Sequence, residues 1–202
     1  MPGTVGVSRR DELLRIAGEL FARKGFRNTT VRDIADAAGI LSGSLYHHFD
    51  SKETMVHELL DNFQTKLFAD YDAIVASDLR PRAKLEAVLR RSFEAIEENH
   101  SEVAIFQNDA GHLGQLAGFG YLNERNARLR GLWTGLLREG IEAGELRSDL
   151  DIELVYRFLR DTVWVAVRWY RPDGPLSGDE VADQYRAILL DGIGVSTDSL
   201  ES

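Results

Sequence analysis

From Leu13 to Ile193 the apolar residues recur at helical spacing, and no segment sustains the alternation of a half-buried strand. Only four prolines interrupt the 202 residues, at positions 2, 81, 172 and 175. The pattern opens with Leu13, Ile16, Ala17, Leu20 and Phe21, and Gly25 stops it. Short helices are predicted from Thr30 and near Ser42, and longer ones from Ser51 to Val75 and onward to Asn99, with Pro81 in a first turn. A further short helix is predicted over Ser101–Asp109. Residues 111–120, GHLGQLAGFG, read as a mobile break that can act as a lid. Long helices are predicted over Tyr121–Ala143, Asp151–Tyr170 and Ser177–Ile193, with a frayed polar tail over 194–202. The fold class is all-α with about nine helices. It divides into a three-helix head with a helix-turn-helix pattern, residues 1–52, and a larger helical body, residues 53–202.

Hydrophobic residues form 44% of the chain, enough for a real core. The absence of cysteine excludes disulfides, thiolate metal sites and a thiol nucleophile, and fits a reducing cytosol. No apolar run approaches the ~20 residues that span a bilayer, and Met1–Arg10 holds no apolar leader. A cytoplasmic protein with no membrane partner is expected. The net charge of -9 argues against nucleic-acid binding when taken whole. It is segregated, however. Residues 1–52 hold eight Lys/Arg and six Asp/Glu, or +2, which leaves -11 for the rest. A mildly basic head on an acidic body suggests a division of labour.

The head carries the strongest local signal, VRDIADAAGILSGSLYHHFD, from Val31 to Asp50. Ala35 is small where two helices cross, and Gly39 supplies the left-handed turn four residues later. Thr30 with Asp33 reads as a capping box, and Asp50 with Glu53 as another. The second helix, Ser42–His48, is the candidate reader of a DNA major groove. Gly43 removes bulk there, Leu41 suits a thymine methyl, and Ser42 and Ser44 can reach base edges or phosphates. Tyr46, His47, Lys52 and Thr30 read as phosphate anchors. The competing reading is a helix pair that merely packs. His47 and His48 do not share a helical face and have no third partner at motif spacing, so no metal is called for.

The segment TTVRDIADAAGILSGSLYHHFDSKETMVHELL resembles the DNA-binding domain of TetR-family repressors. The matching features are the TTxxDIA opening, the glycine turn, SLYHHF and the SKE start of the next helix. The stretches LVYRFLRDTVWVAVRWYRPDGPL, QYRAILL and FEAIEENH resemble the ketosteroid-responsive branch of that family in mycobacteria and rhodococci. The resemblance implies a helix-turn-helix DNA-binding domain over residues 1–52, a ligand-binding and dimerisation domain over residues 53–202, and a homodimer on a palindromic double-stranded operator. It also implies an inducer rather than a cofactor: a CoA thioester of an indanedione propionate from cholesterol rings.

One feature of the body stands apart from family. On an unbroken helix over 151–170, Arg157, Arg160, Trp164, Arg168 and Arg171 fall within about 80° of arc. The remaining surface of that helix is largely apolar, so burial is expected, and buried arginine needs anionic partners. Inter-helix ion pairs, including pairs with a second subunit, are one reading. A pocket for a phosphate or carboxylate ligand with an apolar body is the other, with Arg160 and Trp164 at its centre. Weaker pocket candidates are Phe106, Gln107, Tyr121, Arg125 and Trp133, for which plain packing or a solvated face competes. The last two long helices are natural dimer elements.

A ligand-released repressor is the leading reading, with the helix from Ser51 as the lever between head and body. A repressor sensing another hydrophobic or anionic molecule is an alternative. An all-α enzyme on a CoA ester is the other, but no nucleophile–base motif such as G-x-S-x-G or HExxH occurs.

Overall fold

The computed structural model describes residues 8–194. Among them the chain forms nine helices and no strand. They are α1 Arg9–Lys24, α2 Val31–Ala37, α3 Ser42–Leu45, α4 Lys52–Val75, α5 Pro81–Glu98, α6 His100–Leu113, α7 Tyr121–Glu142, α8 Ile152–Trp164 and α9 Gly178–Tyr185. A 3-10 turn, Val165–Arg168, follows α8 directly. A π turn, Arg186–Leu190, carries α9 on into Asp191–Ile193. The all-α expectation holds. From residue 195 the polar tail lies outside the described residues, and Gly194 forms an isolated antiparallel bridge with Leu146. Among the described residues no helix is long and apolar enough to cross a membrane.

Local chemistry sets several helix starts. Thr30 and Asp33 form the capping box that the spacing indicates. The next cap falls one residue later than Asp50 and Glu53 suggest: Ser51 accepts the Thr54 N–H at 3.1 Å. Asp151 caps α8, and Ser177 with Glu180 forms a second box at α9.

Two buried clusters organise the chain, and their division does not fall at residue 52. The first joins Leu13, Phe21, Ile34, Leu45 and Phe49 to Met55, Val56 and Leu60 of α4. It also takes in Ile105 and Leu113 of α6, together with Phe119 and Leu122. The second is built on Phe63, Leu67 and Tyr71 of α4 with residues of α5, α7, α8 and α9. Helix α4 thus feeds the first core with its early turns and the second with its later ones. A rod of 24 residues, about 36 Å long, belongs to both. Within the second core the Tyr71 and Ser92 hydroxyls meet at 2.6 Å, and burial pushes the Tyr71 phenol up from its ordinary value.

Two expectations change. The GHLGQLAGFG segment is packed rather than a loose lid: α6 runs on to Leu113, which is fully buried, and Phe119 is buried in the first core. Leu113, Leu116 and Phe119 recur every third residue and outweigh the glycines between them. The helix predicted over 151–170 ends at Trp164. A 3-10 turn advances ~120° per residue instead of ~100°, so Arg168 and Arg171 leave the arc of an unbroken helix.

Candidate functional site

The helix-turn-helix presents one outward surface. Gly39 takes φ +66°, which reverses the chain between α2 and α3. The Ile40 N–H then bonds the Ala35 carbonyl at 3.0 Å across that turn. Ile34, Ala35, Leu45 and Phe49 face inward, while Leu41, Gly43, Tyr46 and His47 are exposed and Ser42 and Ser44 half-buried. Leu41 is 80% exposed, far beyond what a fold needs of a leucine. A Cβ on Gly43 would meet nothing within 4 Å, so internal packing does not require that glycine. The reading helix is shorter than its expected span to His48: α3 ends at Leu45, and Tyr46–His48 form a turn.

The residues read as phosphate anchors separate into two kinds. Tyr46 and His47 stand free on the outer surface. Thr30 is exposed, but its hydroxyl is engaged in the box with Asp33. Asp33 also accepts from Lys24 at 2.9 Å. Hydrogen bonds from Thr30 and Lys24 hold its carboxyl well below the usual carboxylate range. Lys52 departs from the anchor role. Its Nζ donates to the carbonyls of Phe26 at 2.9 Å and Thr29 at 3.0 Å, and it lies 4.3 Å over the Phe26 ring. The ammonium closes the loop between α1 and α2 from inside.

In the body, a narrow apolar cavity lies between α4, α6, α7 and α8. Phe63, Leu67, Phe68, Val103, Phe106, Leu129 and Trp164 form most of its wall, with Gln64, Arg125 and Asn126 as the polar part. The space inside is about 20 Å³, room for little more than one water. Trp164 is 5% exposed, and its indole N–H has no acceptor among the described residues. A buried donor left without a partner costs about 1–3 kcal/mol. Arg125 donates to Asp61 at 2.6 Å and to Gln64 at 3.1 Å, and so ties α7 to α4 beside the cavity. It also stacks over Tyr121, whose buried hydroxyl lacks a partner and whose pKa burial pushes up to about 12.

Of the nine ligand candidates, Phe106, Arg125 and Trp164 meet in this wall. Gln107 is half-buried on α6 but does not line it, Tyr121 lies behind Arg125, and Trp133 is core. The arginine stripe is not buried. Arg157, Arg160 and Arg168 are exposed. Arg160 pairs with its neighbour Asp161 at 2.6 Å and lies 5.7 Å from the Tyr156 ring. Burial failed as an expectation because α8 and the turn after it point a second apolar stripe outward: Leu154, Phe158 and Val165 are exposed beside the arginines. Of the wall residues that sequence reasoning missed, four lie on α4, and Val103 on α6 with Asn126 and Leu129 on α7 complete the set. The signal of the α4 residues is the i, i+1, i+4, i+5 seam of Phe63, Gln64, Leu67 and Phe68, with a glutamine buried among apolar side chains.

Two family models cover this architecture. Residues 13–59 match the model of bacterial regulatory proteins of the tetR family, and residues 78–193 the tetracyclin repressor-like C-terminal domain. The chain belongs to the TetR family. It is a transcriptional repressor of that family, not an enzyme: its relatives are named accordingly. It is 60% identical over 185 residues to the HTH-type transcriptional repressor KstR2 of Rhodococcus jostii, covering 92% of this chain and 91% of that protein. It is 55% identical over 186 residues to KstR2 of Mycobacterium tuberculosis, covering 92% and 93%. The solved structure of the ketosteroid transcriptional regulator KstR2 of Mycobacterium tuberculosis superposes with a TM-score of 0.92 at 54% identity, over 96% of this chain and 98% of that one. TetR repressors bind DNA and small-molecule ligands, typically as dimers.

Proposed function

We propose that this TetR repressor binds a palindromic operator as a homodimer and is released by a CoA thioester from steroid ring degradation. The observation that carries the ligand reading is the cavity: an apolar wall with one unpartnered indole N–H, that of Trp164. An alicyclic acyl body fits such a wall, and a carbonyl on it satisfies the indole. The relative named as a ketosteroid transcriptional regulator, 54% identical to this chain, supports the chemical class. Arg160 lies one turn before Trp164 on the same face of α8. Its exposed pair with Asp161 is weak, so exchange for a phosphate or carboxylate of the ligand costs little. Arg157 lies about one turn before Arg160 on the exposed side of the helix, whereas Arg168, on the 3-10 turn after α8, falls outside this group.

The cavity is far too small for such a ligand, so binding must open it. Phe106 in the wall sits on α6, next to Ile105 in the head-side core. Phe63 and Leu67 in the wall sit on α4, whose first turns anchor the head. A ligand that parts these side chains moves two helices on which the head is seated. It favours a different spacing of the two heads through its differential affinity for the two states, typically ~1–3 kcal/mol. The dimer face is the exposed apolar set Leu154, Phe158, Val165 and Trp169 with Ile188 of the α9 extension. DNA-shift titration with a panel of steroid-derived CoA thioesters tests the proposal. Release by a C/D-ring thioester supports it, and equal affinity of DNA-bound and free protein for the thioester contradicts it.

A further inference from the structure

A second cleft of about 510 Å³ opens at the junction of head and body, on another face of α6. Its walls are Glu19, Ala22 and Arg23 of α1; His100, Ser101, Ala104 and Asn108 of α6; and Val167, Arg168 and Arg171 from the turn after α8. The cavity takes Val103 and Phe106 from α6, whereas the cleft takes Ser101, Ala104 and Asn108, so one helix separates two sites.

The charge in this cleft is unusual for the chain. Outside it most arginines end on carboxylates, among them Arg90 on Asp179 and Asp183, Arg91 on Asp70 and Glu98, and Arg82 on Glu86 and Asp191, while Arg27, Arg138 and Arg157 stand unpaired among the described residues and apart from the cleft. Arg23, Arg168 and Arg171 make no ion pair among the described residues, yet they come from two parts of the chain into one cleft of a protein of net charge -9. The one carboxylate in the lining, Glu19, is held by Arg15 at 2.5 Å. Two neighbouring acids are also committed: Glu97 accepts the Tyr170 hydroxyl at 2.8 Å, and Glu98 pairs with Arg91 and Lys66. Glu102 makes no ion pair among the described residues, and burial pushes its carboxyl up from the ordinary value. The cleft also includes the first turn of the 14-residue helix α6, where Asn99 provides no side-chain cap. Free N–H groups at a helix start and three unpaired guanidinium groups call for the same partner.

We propose that this cleft binds a phosphate-type dianion carried by a small molecule, and that its occupant ties the head to the body. Arg23 grips from α1, Arg168 and Arg171 from the body, and His100 with Ser101 from the start of α6. The site is separate from the apolar cavity and does not depend on what fills that cavity. A phosphorylated metabolite bound there acts as a second effector, because it bridges the two parts whose relative motion governs release.

The test is thermal unfolding of the full chain with inorganic pyrophosphate against sodium chloride at matched ionic strength. The wild-type protein should gain at least about 2 °C with millimolar pyrophosphate. Arg23→Gln alone and the double variant Arg168→Gln/Arg171→Gln should lose that gain while unfolding normally in chloride, since all three side chains are exposed. No gain in the wild-type protein, or an equal gain in the variants, overturns the proposal. Dissociation of the dimer in the double variant without any pyrophosphate effect in the wild-type protein also overturns it, and assigns the arginines to the subunit interface. Each of these outcomes leaves release by a thioester untouched.

Discussion

The carboxylate of Asp109, near the end of α6, accepts the backbone N–H of Phe26 at 3.1 Å. Phe26 belongs to the loop between α1 and α2, so a body side chain holds a head backbone. Three residues before Asp109 on the same helix stands Phe106, in the wall of the cavity. Cavity and head are joined by a single turn of α6. Asp109→Ala should leave the Phe26 N–H partly buried without a partner and cost about 1 kcal/mol, or ~2–4 °C in Tm. Asp109→Asn keeps an acceptor and should lose less. In a DNA-shift titration, Asp109→Ala should also need more thioester for half release; unchanged release would remove this bond from the coupling.

Lys52 and Tyr46 should behave differently towards DNA. Lys52→Gln should destabilise the head, because two carbonyls lose a charged donor, yet leave the salt dependence of operator binding unchanged. A salt slope lower by about one would instead make Lys52 a phosphate contact. Tyr46→Ala should weaken operator and random DNA alike, as loss of a phosphate contact does. Weakening on the operator alone would make Tyr46 a base reader.

Acid should loosen the head at a defined place. Asp33 is held far below its ordinary value by Thr30 and Lys24, so the folded state binds its proton less readily than the unfolded chain does. Its contribution is full above the ordinary carboxylate pKa of about 4 and is lost as pH falls below that value. Asp33→Asn should remove this part of the slope. Tm measured from pH 5 down to pH 2 checks it, and parallel curves for the two proteins would contradict it.

Phe158 should report the subunit interface. It is 58% exposed on α8 between Leu154 and Val165, so Phe158→Asp should not disturb the fold of one chain. Sedimentation should show a monomer, and operator affinity should fall by well over tenfold. A stable dimer would move the interface elsewhere.

What could be foreseen from sequence follows the range of the interactions. The head was legible because its determinants are local. The Thr30–Asp33 box and the Gly39 turn each lie within a few residues of chain. Lys52 was misread because the two carbonyls that take its ammonium lie 26 and 23 residues away, and no spacing rule reaches them. The cavity was half legible. Trp164, Phe106 and Arg125 carry visible chemistry, but Phe63 and Leu67 look like any apolar seam until α6 and α7 close over them. The arginine stripe was placed by extending a helix that stops at Trp164, and by assuming that its apolar surroundings are covered within one chain.

The central claim is that the cavity beside Trp164 receives the effector. The most direct measurement is the concentration of a steroid C/D-ring CoA thioester that half-releases the operator, for the wild-type protein, Trp164→Phe and Arg160→Met. Trp164→Phe keeps the wall apolar and removes only the unpartnered N–H and part of the ring; Arg160→Met changes an exposed side chain. Both variants should bind operator as the wild-type protein does, and both should need at least about tenfold more thioester, a loss of ~1.4 kcal/mol. Release at wild-type concentrations in both variants would contradict the account.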